Sequence, residues 1–195
     1  MIPALEMCRL AQAAYTDPAA WARGDAYATR TDVGDLTIVT FRGTRPEDLE
    51  AWLIDLASFA VRLDPVFGPI AASFDDEVLG VAGQIISDLA GRRAALCGHS
   101  MGGAEAHNMA ARVIAAGIPV DQVETFGSAN AGAFNGVLRA IPGCDWRHRD
   151  DPVPFLPPDI DRPRLLQQVV PPRFEIDFVA DHFVEEYLAA LAAIG

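Results

Sequence analysis

The 195-residue sequence predicts a single α/β domain, with a mostly parallel central sheet and helices on both faces. Three observations carry this. Short β-branched or apolar runs, such as 36–41 and 120–126, alternate with longer helical patterns. The apolar run Ala94–Cys97, the pentad Gly98-His99-Ser100-Met101-Gly102 and a helix-forming run from Ala104 to Ala116 follow one another as strand, sharp turn and helix. No repeat, low-complexity segment or linker divides the chain.

Pro3–Ala14 reads as an opening helix, with Leu5, Cys8 and Ala11 on its apolar face. Trp21–Thr31 reads as a turn-rich connection holding one short strand. Leu36–Phe41 is β-branched and nearly all apolar, as a buried central strand should be. Arg42–Arg45 ends it, and Pro46 suits the first turn of a helix to about Ser58, with Thr44 or Arg45 near its N-cap. Phe59–Ser73 is apolar but broken by Asp64-Pro65 and Gly68-Pro69. Phe74–Ala90 reads as a long helix despite Gly80 and Gly83. After the pentad and its helix come a strand at Val120–Phe126, a helix at Asn130–Ala140 and a short strand at Asp145–Arg149. A hairpin of Leu165–Val170 with Phe174–Phe178 and a closing helix at Phe183–Ile194 complete the chain.

Composition bounds the partners. Hydrophobic residues make up 51% and charged residues 22%, ordinary values for a globular chain. No stretch approaches the roughly 18 apolar residues of a membrane span. A net charge of −12 argues against nucleic acid and anionic membrane surfaces as partners. Glu6 and Arg9 interrupt the N-terminus before a signal-peptide core can form, so the chain as written reads as cytosolic, or as released if a leader has been removed. Three cysteines without C-x-x-C spacing support neither a disulfide framework nor a zinc site, and no cofactor is implied.

The pentad has the form of a nucleophile elbow, which exposes a strained serine at the carboxyl edge of a sheet. A serine hydroxyl needs a base, normally histidine. Of four histidines, His99 adjoins Ser100 and should point away from its hydroxyl, His107 lies inside the following helix, and His148 falls within a strand. His182 lies downstream in a loop, with acidic residues before it, as the order serine, acid, histidine requires. The acid that orients it falls on Asp151 or its neighbour Asp150, which residue chemistry alone barely separates. Two backbone N–H groups must hold an oxyanion, and Met101 and the Gly43-Thr44 loop occupy the required positions.

These motifs resemble the class 3 (fungal-type) lipase family of α/β-hydrolases. Phe41-Arg42-Gly43-Thr44 resembles its oxyanion loop, Gly98–Ala104 its elbow, and Thr125-Phe126-Gly127-Ser128 its strand-end motif. Arg149–Pro158 is similar to the segment bearing its aspartate. The resemblance implies a Ser100–Asp151–His182 triad, oxyanion donors at Thr44 and Met101, and cleavage of small-molecule or lipid carboxylic esters. It also places a short lid at about 59–73. The family often carries Gly-x-Val-His-x-Gly-Phe ahead of the elbow, and Gly68–Phe74 lacks its histidine and second glycine. The same acyl-serine chemistry would also serve a thioesterase, amidase or acyltransferase, while a non-catalytic binding protein on this scaffold would show a broken constellation.

Overall fold

A computed structural model describes residues 1–49, 52, 60–171 and 180–194. Its main sheet contains β1 (Trp21–Arg23), β2 (Ala26–Val33), β3 (Leu36–Phe41), β6 (Arg93–His99), β7 (Val120–Phe126), β8 (Asp145–His148) and β9 (Leu166–Val170), side by side in that order. The first two pairings are antiparallel; β3, β6, β7, β8 and β9 run parallel. Parallel neighbours that follow sequence order are joined by crossovers of one hand, which places their connections on one face. That face carries α2 (Ala72–Asp88) and α3 (Met101–Ala115), which pack against each other. The opposite face is covered by the chain's two ends, α1 (Ala4–Ala13) and α4 (Val184–Ile194).

Strand alternation divides the core accordingly. Val39, Phe41, Ala94 and Leu96 join Phe74, Val78, Met109 and Val113 beneath α2 and α3. Ile38, Ala95 and Cys97 join Met7, Cys8, Tyr187 and Leu191 beneath α1 and α4. The parity of β6 that sends Ala95 and Cys97 toward the chain ends also sends His99 there, whereas the elbow follows on immediately into α3.

Two local expectations are corrected, and others fall partly outside the described residues. The Trp21–Thr31 connection holds two strands, because Gly24 at φ 62° turns the chain and pairs Trp21 with Ala28. Asn130–Ala140 is not a regular helix. Phe134 and Asn135 adopt left-handed φ values of 47° and 50°, a single 3₁₀ turn spans Phe134–Gly136, and the Asn135 side-chain amide donates to the Val66 carbonyl at 2.6 Å. Leu166–Val170 pairs parallel with β8; the partner expected for it in a hairpin, residues 174–178, lies outside the described residues. Of the helix expected after Pro46, a 3₁₀ turn at Pro46–Asp48 is described, and most of the remainder to Ser58 lies outside the described residues. From residue 60 the segment expected as a lid forms a separate hairpin, β4 (Val61–Asp64) with β5 (Gly68–Ala71). Asp64 Oδ1 closes its turn by accepting from the Val66 and Phe67 N–H groups.

Candidate active site

Ser100 stands between the last residue of β6 and the first of α3 with φ 58° and ψ −127°. Such a conformation costs a non-glycine residue about 1–3 kcal/mol and persists only where neighbours impose it. Here the Ser100 N–H donates to the Phe126 carbonyl and the Gly103 N–H donates to the Ser100 carbonyl, both at 3.0 Å. The glycines of the motif are spacing devices. A Cβ on Gly98 would lie 2.1 Å from the Gly102 carbonyl oxygen, and one on Gly102 would lie 2.4 Å from that of Phe41. Strand, turn and helix therefore close on one another only with glycine at both positions. Ser100 is 1% exposed, and its Oγ has no hydrogen-bond partner among the described residues.

His182 lies in a 3₁₀ turn, Ala180–His182, that leads into α4. Its Nδ1 is 2.8 Å from Asp151 Oδ2. Asp151 is fully buried and takes two further donors: the Val153 N–H on Oδ1 at 2.9 Å and the Tyr187 hydroxyl on Oδ2 at 2.6 Å. A carboxylate only accepts, so Nδ1 of His182 is the donor, and in the neutral imidazole the lone pair falls on Nε2. That Nε2, like Ser100 Oγ, is buried without a partner among the described residues. Between the two neighbouring acids, the structure brings Asp151 to His182; the Asp150 N–H instead meets the Asp181 carboxylate at 3.3 Å. Gly127, at φ 58°, explains the Thr-Phe-Gly motif. A Cβ there would lie 2.7 Å from Asp151 Oδ2 and 3.1 Å from His182 Cε1, so the His–Asp pair rests directly on its backbone.

A cavity of about 580 Å³ is lined by Ser100, His182 and Thr44, with residues from the end of α1 and the start of α4. Met101 opens its helix, so its N–H has no partner within α3. The Met101 and Thr44 side chains touch, Oγ1 to Sδ at 3.7 Å, and both line an adjacent 620 Å³ cavity beyond the loop. Asp151 lies behind His182 and does not line the first cavity. No residue of the β4–β5 hairpin lines it either. His107 is structural: its Nε2 meets Asp145 Oδ1 at 2.9 Å in a fully buried pair. His148 is buried against Asp181. Among the described residues no group of three or more His, Cys, Asp or Glu could hold a metal ion, and no helix is long and apolar enough to cross a membrane.

Three residues here have no assigned part in the sequence reading. Tyr187 donates to Asp151 and accepts from the His148 N–H at 3.0 Å. Burial, then the Asp151 charge, raises its hydroxyl well above the ordinary tyrosine range. Tyr15 and His99 form the other pair: the Tyr15 hydroxyl is 2.8 Å from His99 Nδ1, and His99 Nε2 is 2.6 Å from the His182 carbonyl. Burial, then the nearby His182, holds His99 well below the ordinary histidine range. The parity of β6 is the one sequence signal that points to His99.

Sheet order, elbow and the loop positions at the strand ends define the α/β-hydrolase fold. No family model matches the sequence, and no curated protein matches it. Solved lipase structures do share its fold. One is the Rhizomucor miehei triacylglyceride lipase, 23% identical with a TM-score of 0.61, over 74% of this chain and 60% of that one. Another is a triacylglycerol lipase whose catalytic centre is a serine protease triad, 19% identical with a TM-score of 0.63, over 79% of this chain and 73% of that one. The Lip2 lipase of Yarrowia lipolytica is 14% identical with a TM-score of 0.55, over 83% of this chain and 77% of that one. The chain spans 60–62% of the length of the two first-matched Rhizomucor miehei structures. At these identities the likeness is one of fold.

Proposed function

We propose that the protein is a carboxylic ester hydrolase working through an acyl-serine. The observation that carries the reading is one cavity wall holding a strained, unpartnered Ser100 Oγ and the unpartnered Nε2 of a histidine whose other nitrogen is fixed on a buried carboxylate. Ser100 Oγ attacks the ester carbonyl carbon while His182 Nε2 takes its proton. The backbone N–H groups of Thr44 and Met101 hold the oxyanion, and Asp151 stabilises the imidazolium. Collapse expels the alcohol, protonated by His182. Water, deprotonated by the same nitrogen, then releases the acid and restores the serine. In apo sites such hydrogen bonds are often loose and tighten as substrate binds, which accommodates two partners not bonded to each other.

The described cavity wall sets Arg9, Arg45 and Glu47 beside Leu49, Phe183 and Val184, so an acyl chain there would meet charged groups as well as apolar ones. Solved lipases of the same fold support lipid esters as one end of the substrate range. The wall favours the other end, short and water-soluble esters. A chain-length series of p-nitrophenyl esters, assayed below and above each ester's solubility limit, tests both. The expected result is saturation below the limit with preference for short acyl chains. A rate jump above the limit on long chains would reassign the substrate to lipid aggregates. Hydrolysis of thioesters or amides with none of esters would overturn the ester reading.

A further inference from the structure

Ester hydrolysis requires the oxyanion donors and the base to surround the same acyl carbon, yet they lie on unconnected loops. The donor loop, residues 42–45, follows β3; the base precedes α4. The Tyr15–His99 pair spans the gap. A carbonyl oxygen only accepts, so the 2.6 Å contact to the His182 carbonyl requires a proton on His99 Nε2. A neutral His99 then presents a lone pair at Nδ1, and the Tyr15 hydroxyl must donate to it. The Tyr15 hydroxyl also packs against Gly43 of the donor loop. Close approach is built into the loop: a Cβ on Gly43 would lie 2.4 Å from that oxygen and 2.6 Å from the His99 carbonyl.

We propose that Tyr15 and His99 are positioning residues, forming a directed hydrogen-bond relay, Tyr15 to His99 to the His182 carbonyl, whose Tyr15 end packs against Gly43, so that the oxyanion loop and the base are held in mutual register. The proposal rests on the acyl-serine reading above. It also accounts for a histidine in the elbow that faces away from the nucleophile it adjoins. With His99 neutral the relay has a definite polarity; a proton on Nδ1 would reverse the Tyr15 contact, the hydroxyl oxygen then accepting. The surroundings favour the neutral form. The His99 ring stacks 4.8 Å from that of His182 and stands edge-on to Tyr187 at 6.0 Å. From the other elements, Glu185 on α4 and Arg42 on the loop face Tyr15.

The test uses Tyr15→Phe, which removes one oxygen and keeps the ring, together with His99→Leu and the double variant. Each is assayed on p-nitrophenyl butyrate beside wild type and Ser100→Ala. Tyr15→Phe is expected to lower kcat on the order of tenfold with KM within about twofold, the loss that one ordinary hydrogen bond gives. The double variant should be no slower than His99→Leu, because one relay is broken once. Nitrogen-15 shifts of the His99 ring should show a protonated Nε2 and a pyridine-like Nδ1 between pH 6 and 8. A Tyr15→Phe enzyme with wild-type kcat, an effect confined to KM, or additive losses would overturn the relay. If His99→Leu fails to fold, Tyr15→Phe and the ring shifts decide. Wild-type activity in Ser100→Ala would instead overturn the acyl-serine reading itself, so the two failures are distinguishable.

Discussion

At the scale of single residues, the choice between Asp150 and Asp151 has a physical answer that a one-residue shift in chain position cannot supply. Pro152 limits the backbone after residue 151, and the Val153 N–H folds back onto Asp151 Oδ1. The Arg147 guanidinium meets the Asp151 carbonyl at 3.1 Å, which ties the main chain down as well. Asp151 is thereby aimed at His182. We expect Asp151→Asn to lower kcat by about 10³–10⁴, because an amide can present its N–H and favour the wrong imidazole tautomer. Asp150→Asn should stay within a few-fold of wild type. Parallel ester-hydrolysis assays of the two variants check this, and a larger loss at Asp150 would reverse the assignment. The sequence shows this pair but not what separates it, because Tyr187, the second donor on Asp151 Oδ2, lies 36 residues away.

At the scale of elements, the elbow is the part most legible in the sequence. Its glycine spacing reports contacts of 2.1 and 2.4 Å that no side chain permits, so the motif is itself a record of the turn. The segments misread are those where long-range bonds outweigh local propensity. Asn130–Ala140 has the composition of a helix, but Gly132 forms an isolated bridge to Ile70 and Asn135 reaches Val66, both distant in sequence. Helix α3 carries a second consequence of burial. Glu105, fully buried in it, has its carboxyl pushed well above the ordinary value of 4.5 by burial and then by Glu77. A raised carboxyl contributes stability that is fully present below its unfolded pKa and is lost as pH rises through the folded one. Glu105→Gln mimics the protonated form and removes that loss. We expect the variant to gain on wild type by up to about 1.4 kcal/mol per pH unit within that window. Urea unfolding at pH 5.5 and pH 8 measures it, and an equal difference at both pH values would contradict the burial argument.

At the scale of the whole molecule, sequence order and chain ends explain why the site sits where it does. The parallel strands follow one another across the sheet, so their carboxyl ends form one edge, and the elbow, the β3 loop and the Asp151 loop all emerge there. The two terminal helices cover the face left bare and bring Tyr15 and His182 to that same edge. Alternation of strand and helix patterns made the α/β class legible. The antiparallel Trp21–Val33 hairpin was less so, because its turn residues looked like ordinary loop. Of the relay residues, Tyr15 is not legible at all, since nothing local marks it as a partner of a residue 84 positions away. Solved lipases share this architecture as a fold, and the proposed chemistry rests on Ser100.

The central claim is most directly tested by labelling with a fluorophosphonate, which traps an activated serine, alongside hydrolysis of a short p-nitrophenyl ester. The wild-type protein should incorporate one label, on the peptide containing Ser100, with loss of hydrolysis in step. Ser100→Ala should keep the wild-type unfolding midpoint, take no label there and lose hydrolysis by a factor on the order of 10⁴ or more. A Ser100→Ala protein that hydrolyses the ester at the wild-type rate, or a label on a different residue, would contradict the account.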